Sequence, residues 1–458
     1  MNIEVAVIGA GLAGLSAAYR LKQRRISVAV IEAASQVGGK VQSLSLNGFT
    51  FDVGPNTVLE SNEAIARLVT DLELRNDIIW ASAAAKARYI LKRGKLVALS
   101  PSPALLFSPL LSLPAKWRLL KEPFIPPSQR QETVAAFFER RFGREVLEYL
   151  IDPFLAGTFG ARPEDIALES AFPVLAAWER QYGSVFRGAL QARKGKKDTR
   201  RFSRKMFSFA GGFYEVIRRL SEKLLPELWL SAQVQAITRS TEGFRLSLIQ
   251  KDKPQTLLAK RLLFATPASE TAKLLEPLAP DLAKRLAEIP YSPIAQVFLG
   301  YKSGSTPPLT GFGFLVPSIE RRKILGAVFN HAIFPQRYND VALTVFIGGS
   351  RQPELVALSE AELTALACTE LKEILGISAT PIASAVVSWP AAIPQYGLSH
   401  SEILKAVAEY EQRCGEVFFA GNWRGGISVP DTVRQAEEVA QAILRTLAPA
   451  PSTHQLAH

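Results

Sequence analysis

Sulfur and imidazole are scarce in this chain. Of its 458 residues, two are cysteine and four are histidine. Cys368 and Cys414 form no C-x-x-C, which excludes a disulfide framework and a dithiol redox motif and fits buried thiols in a reducing compartment. His331, His400, His454 and His458 are scattered without metal-ligand spacing, so no metal site is expected. No apolar run approaches the roughly 18–20 uninterrupted residues that a membrane-spanning helix requires. The chain opens directly in a strand-like run, so no secretory leader is expected. No compact nucleic-acid motif is found, although 54 basic against 42 acidic residues leave a net charge of +12. That excess points to an anionic membrane surface or an acidic substrate, and not to a nucleic acid. A hydrophobic content of 48% with 21% charged residues describes a globular chain with room for two or three domains.

What is present begins at the N-terminus. The apolar run Ile3 to Ile8 ends in Gly9-Ala10-Gly11-Leu12-Ala13-Gly14, a helical pattern follows, and a second apolar run, Val28 to Ile31, ends in Glu32 and Ala33. Strand, glycine turn, helix, strand and acid together are the context of a dinucleotide-binding βαβ unit. Gly9 permits the tight turn, Gly11 lets a pyrophosphate reach the backbone, and Gly14 lets helix pack on sheet. The pyrophosphate sits on the free N–H groups of the helix start. Glu32 is placed to accept hydrogen bonds from ribose hydroxyls. The pair Gly38-Gly39 with Lys40, and then Gly54-Pro55-Asn56-Thr57, let the chain fold back over the dinucleotide. An acid followed so soon by a glycine pair resembles FAD-dependent oxidases of the amine oxidase superfamily. There Arg usually follows the pair; Lys40 keeps the charge and loses the fork.

Further along, residues 61–96 read as a helix followed by strands, with Arg88 on a strand-like alternation; a solvated strand residue is the other reading. Seven prolines between Pro101 and Pro127 break a run containing Leu105-Leu106-Phe107 and Leu110-Leu111, flanked by Lys116, Arg118 and Lys121. Short amphipathic pieces beside basic residues suit a membrane interface; a channel wall or a lid covered by another subunit suits them equally. Residues 132–204 look helical, with one helix running to Leu150, a glycine-punctuated turn over Asp152–Gly160, and a basic loop from Arg193 to Lys205. Residues 228–264 read as strands that end in Ala265-Thr266-Pro267. Strand runs interrupted by glycine fill 290–400, with a helix over 359–375. Val417 to Ala420 is a strand that feeds Gly421, and a last helix spans Thr432 to Leu447.

Between residue 1 and about residue 447 the chain resembles the oxygen-dependent protoporphyrinogen oxidases. The specific matches are Asp152-Pro153-Phe154-Leu155-Ala156-Gly157 with Ala171-Phe172-Pro173, Gly311 to Ser318, Ile347-Gly348-Gly349 and Ile393-Pro394-Gln395-Tyr396. The resemblance implies an α/β (α+β) fold. Its parts are a Rossmann-type FAD-binding domain, a sheet-based substrate domain as in p-hydroxybenzoate hydroxylase, and a helical membrane-binding domain. Mapped here, the FAD domain takes 1–60, 205–270 and 412–447, the substrate domain 61–96 and 271–411, and the helical domain 97–204; 448–458 is expected to be a disordered tail.

The same resemblance implies non-covalent FAD held by Gly9 to Gly14, Glu32, Ala33, Gly39, Lys40 and Gly54 to Thr57. Val234 would meet adenine, and Trp389, Gly421, Ile427, Ser428 and Val429 would complete the flavin site. It implies a porphyrinogen sandwiched by Phe312 and Leu315, its pyrrole N–H groups on the Gly157 carbonyl, a propionate on Arg88, and Phe346 in the pocket where relatives carry Met or Leu. Oxygen would take the electrons and leave as hydrogen peroxide. The flavin does the chemistry, so no catalytic side chain is expected. A homodimer on the inner face of the cell membrane, handing product to the next enzyme of haem or chlorophyll synthesis, completes the expectation. Three other readings stay open: a coproporphyrinogen III oxidase, a flavin amine oxidase, and a non-catalytic FAD or tetrapyrrole carrier.

Overall fold

The computed structural model describes residues 2–99, 107–194 and 205–447. Its first sheet is built by the N-terminal unit. Strands Leu228–Trp229, Val28–Ile31, Asn2–Ile8 and Lys253–Phe264 lie side by side in parallel, and Val417–Phe419 joins the C-terminal end of Lys253–Phe264. The meander Ala232–Ser240, Gly243–Gln250, Lys253–Phe264 extends the sheet antiparallel. Val5, Val7 and Val30 are sealed on one face by helices Leu12–Gln23, Tyr214–Leu224 and Val429–Leu447, through Leu15, Ile217, Leu220, Val433 and Ala436. Near-continuous apolar strands are what a doubly covered parallel sheet demands.

The second sheet has seven strands, in the order Ala383–Pro394, Tyr291–Tyr301, Val341–Gly348, Gly326–Phe329, Gly313–Leu315, Tyr89–Lys92, Lys95–Ala98. Its register sorts the side chains. Ala295, Val297, Val345, Ile347, Phe314 and Ala327 face helix Glu360–Leu375 and bury against Leu363, Ala367 and Leu371. Paired residues of neighbouring strands point to the same side and successive residues to opposite sides. The pairs Leu315↔Gly326, Gly326↔Phe346, Phe346↔Gln296, Val328↔Thr344 and Ile294↔Trp389 therefore place Leu315, Val328, Thr344, Phe346, Gln296, Ile294 and Trp389 on the other face. That face looks toward the nucleotide unit.

Helices Leu113–Leu120, Val134–Phe142, Asp152–Phe159, Pro173–Tyr182 and Val185–Lys194 make the third body, around Phe137, Phe138, Phe142 and Leu155. Its buried charge is paired: Arg141 meets Glu122 and Glu179 at 2.5 Å, and Glu122 also accepts from Ser184 Oγ and the Val185 amide.

Four expectations need correction. The helix expected to run to Leu150 is broken at Gly143, which takes φ +88°, and helical turns resume from Arg144 through Ile151. Asp152–Phe159 is a helix and not a turn: it continues directly from the π-helical turn Leu147–Ile151, and Gly160 ends it at φ +60°. Arg88 lies one residue ahead of strand Tyr89–Lys92, whose reversal at Arg93-Gly94 has positive φ at both positions. Helix Glu63–Asp71 belongs by packing with the nucleotide unit, not with the second sheet: Ala64, Ile65, Leu68 and Val69 are buried in the first unit's core. Strand Met206–Phe209 pairs with Val58–Leu59 and Ile78–Trp80 in a small sheet between the units. The membrane expectation at Leu105-Leu106, most of the basic loop after Lys194, and the tail 448–458 lie outside the described residues.

Candidate functional site

The glycine turn has the shape of an anion cradle. Gly11 caps helix Leu12–Gln23 without any side-chain hydrogen bond, so the first N–H groups face outward unpaired by a cap. A Cβ on Gly11 would meet nothing within 4 Å, whereas one on Gly14 would lie 2.0 Å from the Gly9 oxygen. Gly9 itself takes φ +105° and donates to the Ile31 carbonyl at 2.8 Å. Gly11 is thus the open approach and Gly14 the packed one. Glu32 spans the turn: one carboxylate oxygen accepts from the Ala10 amide at 2.8 Å and the other from the Ala34 amide at 2.9 Å, across the exposed Ala33. Its remaining lone pairs are free for ribose hydroxyls. Val234 follows on the adjoining strand, where Ala232 donates to the Glu32 carbonyl, and a bulge interrupts the ladder directly after it. A bulge leaves backbone groups without ladder partners, as an adenine edge needs.

The glycine pair closes on this turn. Gly38 donates to the Ala10 carbonyl at 2.8 Å, and a Cβ on Gly39 would come within 3.5 Å of the Gly11 Cα. Lys40 turns the other way. Its ammonium donates to the carbonyls of Ala391 and Ala392 and lies 5.1 Å from the Tyr291 ring centre. Burial pushes its pKa down to about 8. Lys40 therefore ties the cofactor loop to the edge strand of the second sheet.

The turn Gly54–Thr57 is clamped from that sheet. Gln296, 2% exposed, accepts from the Gly54 amide at 2.8 Å and donates to the Gly54 carbonyl at 3.1 Å. Asn56 donates toward Asn330 Oδ1 at 3.5 Å and Thr344 Oγ1 at 3.4 Å, and Asn330 donates to Thr344 at 2.7 Å. At the far end, Gly421 takes φ +141° and donates to Gln435. Ser428 accepts from the Asp431 amide ahead of helix Val429–Leu447, which offers a second helix start, and Ile427 packs on the helical body.

Beside this cofactor groove, the open face of the second sheet carries large apolar groups that are only half-buried: Phe346, Trp389 and Leu315, with Phe312 packed on Val328. Phe346 and Trp389 share a cluster with Ala156 and Ile294. Trp389 Nε1 is buried without a protein partner. Gly157 is exposed on the last turn of helix Asp152–Phe159 and faces Leu315, whose Cδ2 lies 2.4 Å from where a Gly157 Cβ would be. Arg88, exposed, lies with its guanidinium carbon 5.0 Å from the Phe312 ring centre. The helix is bolted in place. Asp152 pairs with Arg351 at 2.7 Å and accepts from the Ser318 amide, while Gln395 and Ser292 donate to the Phe159 carbonyl.

Leu315 and Phe346 thus share one sheet face with Trp389, Gly157 abuts Leu315 and Arg88 lies over Phe312, while Gly9 to Gly14, Glu32 and Gly39 gather at the glycine turn and Lys40 departs from it. Sequence reading passed over Gln296, Thr344, Asn330, Asp152 and Arg351. A lone polar residue inside an apolar strand, such as Gln296 within Ala295–Tyr301, was the available signal, because a buried amide must find partners. The groove fits FAD: open space at Gly11, uncapped N–H groups, a tethered acid and a second helix start are what a flavin dinucleotide requires. Among the described residues no cluster of His, Cys, Asp or Glu could hold a metal ion, and no helix is long and apolar enough to cross a membrane.

Comparison with known proteins agrees. The model of the family described as flavin containing amine oxidoreductase matches residues 12–444. The chain is 34% identical to protoporphyrinogen oxidase 2, chloroplastic/mitochondrial, of Arabidopsis thaliana, over 97% of this chain and 94% of that one. It is 34% identical to the mitochondrial protoporphyrinogen oxidase of Nicotiana tabacum, over 97% and 95%. A solved structure from Exiguobacterium sp. superposes with a TM-score of 0.82 over 96% of this chain and 98% of that one, at 22% identity.

Proposed function

This chain belongs to the flavin containing amine oxidoreductases, in the branch of the protoporphyrinogen oxidases, and from that membership we propose that it oxidises protoporphyrinogen IX to protoporphyrin IX with oxygen as acceptor, releasing hydrogen peroxide. The observation that carries this reading is the slot: a row of half-buried apolar groups, Phe312, Leu315, Phe346 and Trp389, on the sheet face beside the cofactor groove.

Bound FAD supplies the two-electron acceptor. The residues of the chain do the rest. Phe312 and Leu315 hold a macrocycle by its faces and exclude water from them. The Gly157 carbonyl, in the last turn of its helix where carbonyls lack intrahelical partners, accepts pyrrole N–H bonds. Arg88 meets a propionate at the slot's rim; its charge is held over Phe312, so the fork is oriented before substrate arrives. A bridge hydrogen leaving beside electron-rich pyrroles needs no strong base.

The test is Arg88→Ala. A charge-assisted hydrogen bond contributes roughly 1.5–3 kcal/mol. At about 1.4 kcal/mol per decade, kcat/KM should fall roughly ten- to a hundredfold. The contact exists in ground and transition states alike, so most of the change should be in KM. Arg88→Lys should recover part of it. An unchanged KM for both protoporphyrinogen and the tetraacidic coproporphyrinogen would make Arg88 a solvated surface residue and remove the anchor from this reading.

The helical body supports peripheral membrane contact. Phe107, Leu113, Trp117, Leu120 and Phe124 are 88%, 73%, 66%, 52% and 82% exposed, beside Lys116, Arg118 and Lys121. Apolar burial and attraction to anionic headgroups add in such a patch.

A further inference from the structure

We propose that Met206 is a peroxide-oxidised switch residue of this site, whose sulfoxide captures Arg88 and so weakens substrate binding. The inference rests on the oxidase reading above. Apart from Met1 the chain has a single methionine, Met206. It opens strand Met206–Phe209, is half-buried, and packs with Phe312, Ile333 and Phe334. Its sulfur lies 3.9 Å from Arg88 Nη2, the group assigned to the propionate. Its backbone is fixed: the Ala81 amide donates to its carbonyl at 2.9 Å, and it pairs with Leu59. Chemistry at the sulfur therefore acts through the side chain alone.

The two thiols lie elsewhere. Cys368 packs on the opposite face of the second sheet, within reach of the Tyr301 hydroxyl, and Cys414 packs with the nucleotide unit beside Arg239. Among the described residues, Met206 is thus the sulfur that borders the slot from which, on the oxidase reading, peroxide is released. The step balances without a further reactant. The thioether sulfur attacks one peroxide oxygen, the O–O bond breaks, that oxygen stays on sulfur, and the other leaves as water. The sulfide loses two electrons and the peroxide gains them. A thioether is a weak acceptor, whereas the polar sulfoxide accepts strongly and reductases reverse it. A sulfoxide oxygen at this position competes with the propionate for the same guanidinium donor. Turnover then restrains itself as peroxide accumulates.

The experiment cycles the FAD-loaded full-length enzyme with protoporphyrinogen for many turnovers in air, with an anaerobic arm as control, and then reads Met206 by peptide mass and the recovered enzyme by kinetics. We expect one added oxygen on Met206 in the aerobic arm alone, and KM raised about three- to tenfold with kcat preserved. Methionine sulfoxide reductases should reverse both changes, and Met206→Leu should keep its own KM through the same exposure. Met206 left unoxidised after aerobic turnover overturns the proposal. So does oxidised Met206 with an unchanged KM in a preparation where Arg88→Ala raises KM. If Arg88→Ala leaves KM unchanged, the propionate reading fails first, and the mass measurement still decides whether Met206 is the modified residue.

Discussion

Gln296→Leu should loosen the cofactor groove without touching any residue that borders it directly. Leucine has nearly the volume of glutamine and lies well inside an apolar strand, so the substitution leaves no large cavity. What it removes is a two-point clamp: the amide oxygen that accepts from the Gly54 N–H at 2.8 Å and the amide nitrogen that donates to the Gly54 carbonyl at 3.1 Å. Each partner left unpaired costs about 1–3 kcal/mol. Gly54 is only half-buried, so water recovers part of this, and the pair should cost about 2–4 kcal/mol. The cost appears in one of two places. If the turn holds its course, the protein unfolds at lower denaturant. If it swings out to find water, Asn56 leaves Asn330 and Thr344, and FAD affinity falls; at about 1.4 kcal/mol per decade, the whole cost would weaken it roughly thirty- to a thousandfold. Denaturant unfolding of the apo protein and titration with FAD, read by flavin fluorescence, separate the two. Gln296→Glu sharpens the argument. As a carboxylate it keeps the acceptor for the Gly54 N–H and loses the donor for its carbonyl; protonated, it regains a donor, so FAD retention should improve as pH falls. Wild-type FAD affinity and wild-type unfolding in Gln296→Leu would refute the clamp.

Three further outcomes follow from the same geometry. Gly11→Val should give a folded apo protein that no longer binds FAD, because its side chain enters open space the dinucleotide needs, whereas Gly14→Val should lose both flavin colour and thermal stability, its Cβ lying 2.0 Å from the Gly9 oxygen; equal stability of the two apo proteins would contradict this. His400, 4% exposed and stacked on Tyr396 at 4.3 Å, is pushed down to about 4 by burial. The unfolded chain therefore takes up a proton between pH 6.5 and about 4 that the native protein refuses. Stability is lost as pH falls through that window, by about 3 kcal/mol at about 1.36 kcal/mol per unit, and His400→Gln should flatten that part of a stability–pH curve; an unaltered slope would assign the acid sensitivity elsewhere. Changing Phe107, Trp117 and Phe124 together to Ser should reduce flotation with anionic liposomes and leave FAD content intact, and undiminished flotation would move the membrane contact off this helical face.

The parts legible in the sequence share one property: their physical requirement is local. A glycine that must take positive φ, a helix start with no cap and an acid at the end of the next strand all lie within thirty-odd residues, so Gly9 to Glu32 could be read directly, and the structure adds only which atoms meet. The slot was legible in a weaker way. Arg88, Gly157, Phe312, Leu315 and Phe346 come from segments far apart in the chain, and resemblance alone joined them, while Trp389 was expected at the flavin; no periodicity distinguishes a half-buried Phe346 from its fully buried neighbours Val345 and Ile347. What distinguishes it is strand register. Phe346 pairs with Gly326 and with Gln296 and so shares their face, and register is set by pairing between distant strands. The clamp residues were hidden for the same reason. Gln296 and Thr344 look like minor polar interruptions of apolar strands, and Asn330 like a polar residue just past one, until the fold brings them to Gly54 and Asn56. Lys40 was misjudged in direction. Its place after the glycine pair suggested a cation for the dinucleotide, yet the ammonium reaches Ala391 and Ala392, because those strand-end carbonyls need donors that their own sheet edge does not supply. A lysine can make that turn where a planar guanidinium would be held to a fork, so this substitution links two domains through a single side chain. The groove's rigidity therefore depends on contacts from the second sheet at Lys40, Gly54 and Asn56, and the cofactor groove and the apolar slot are parts of one interface.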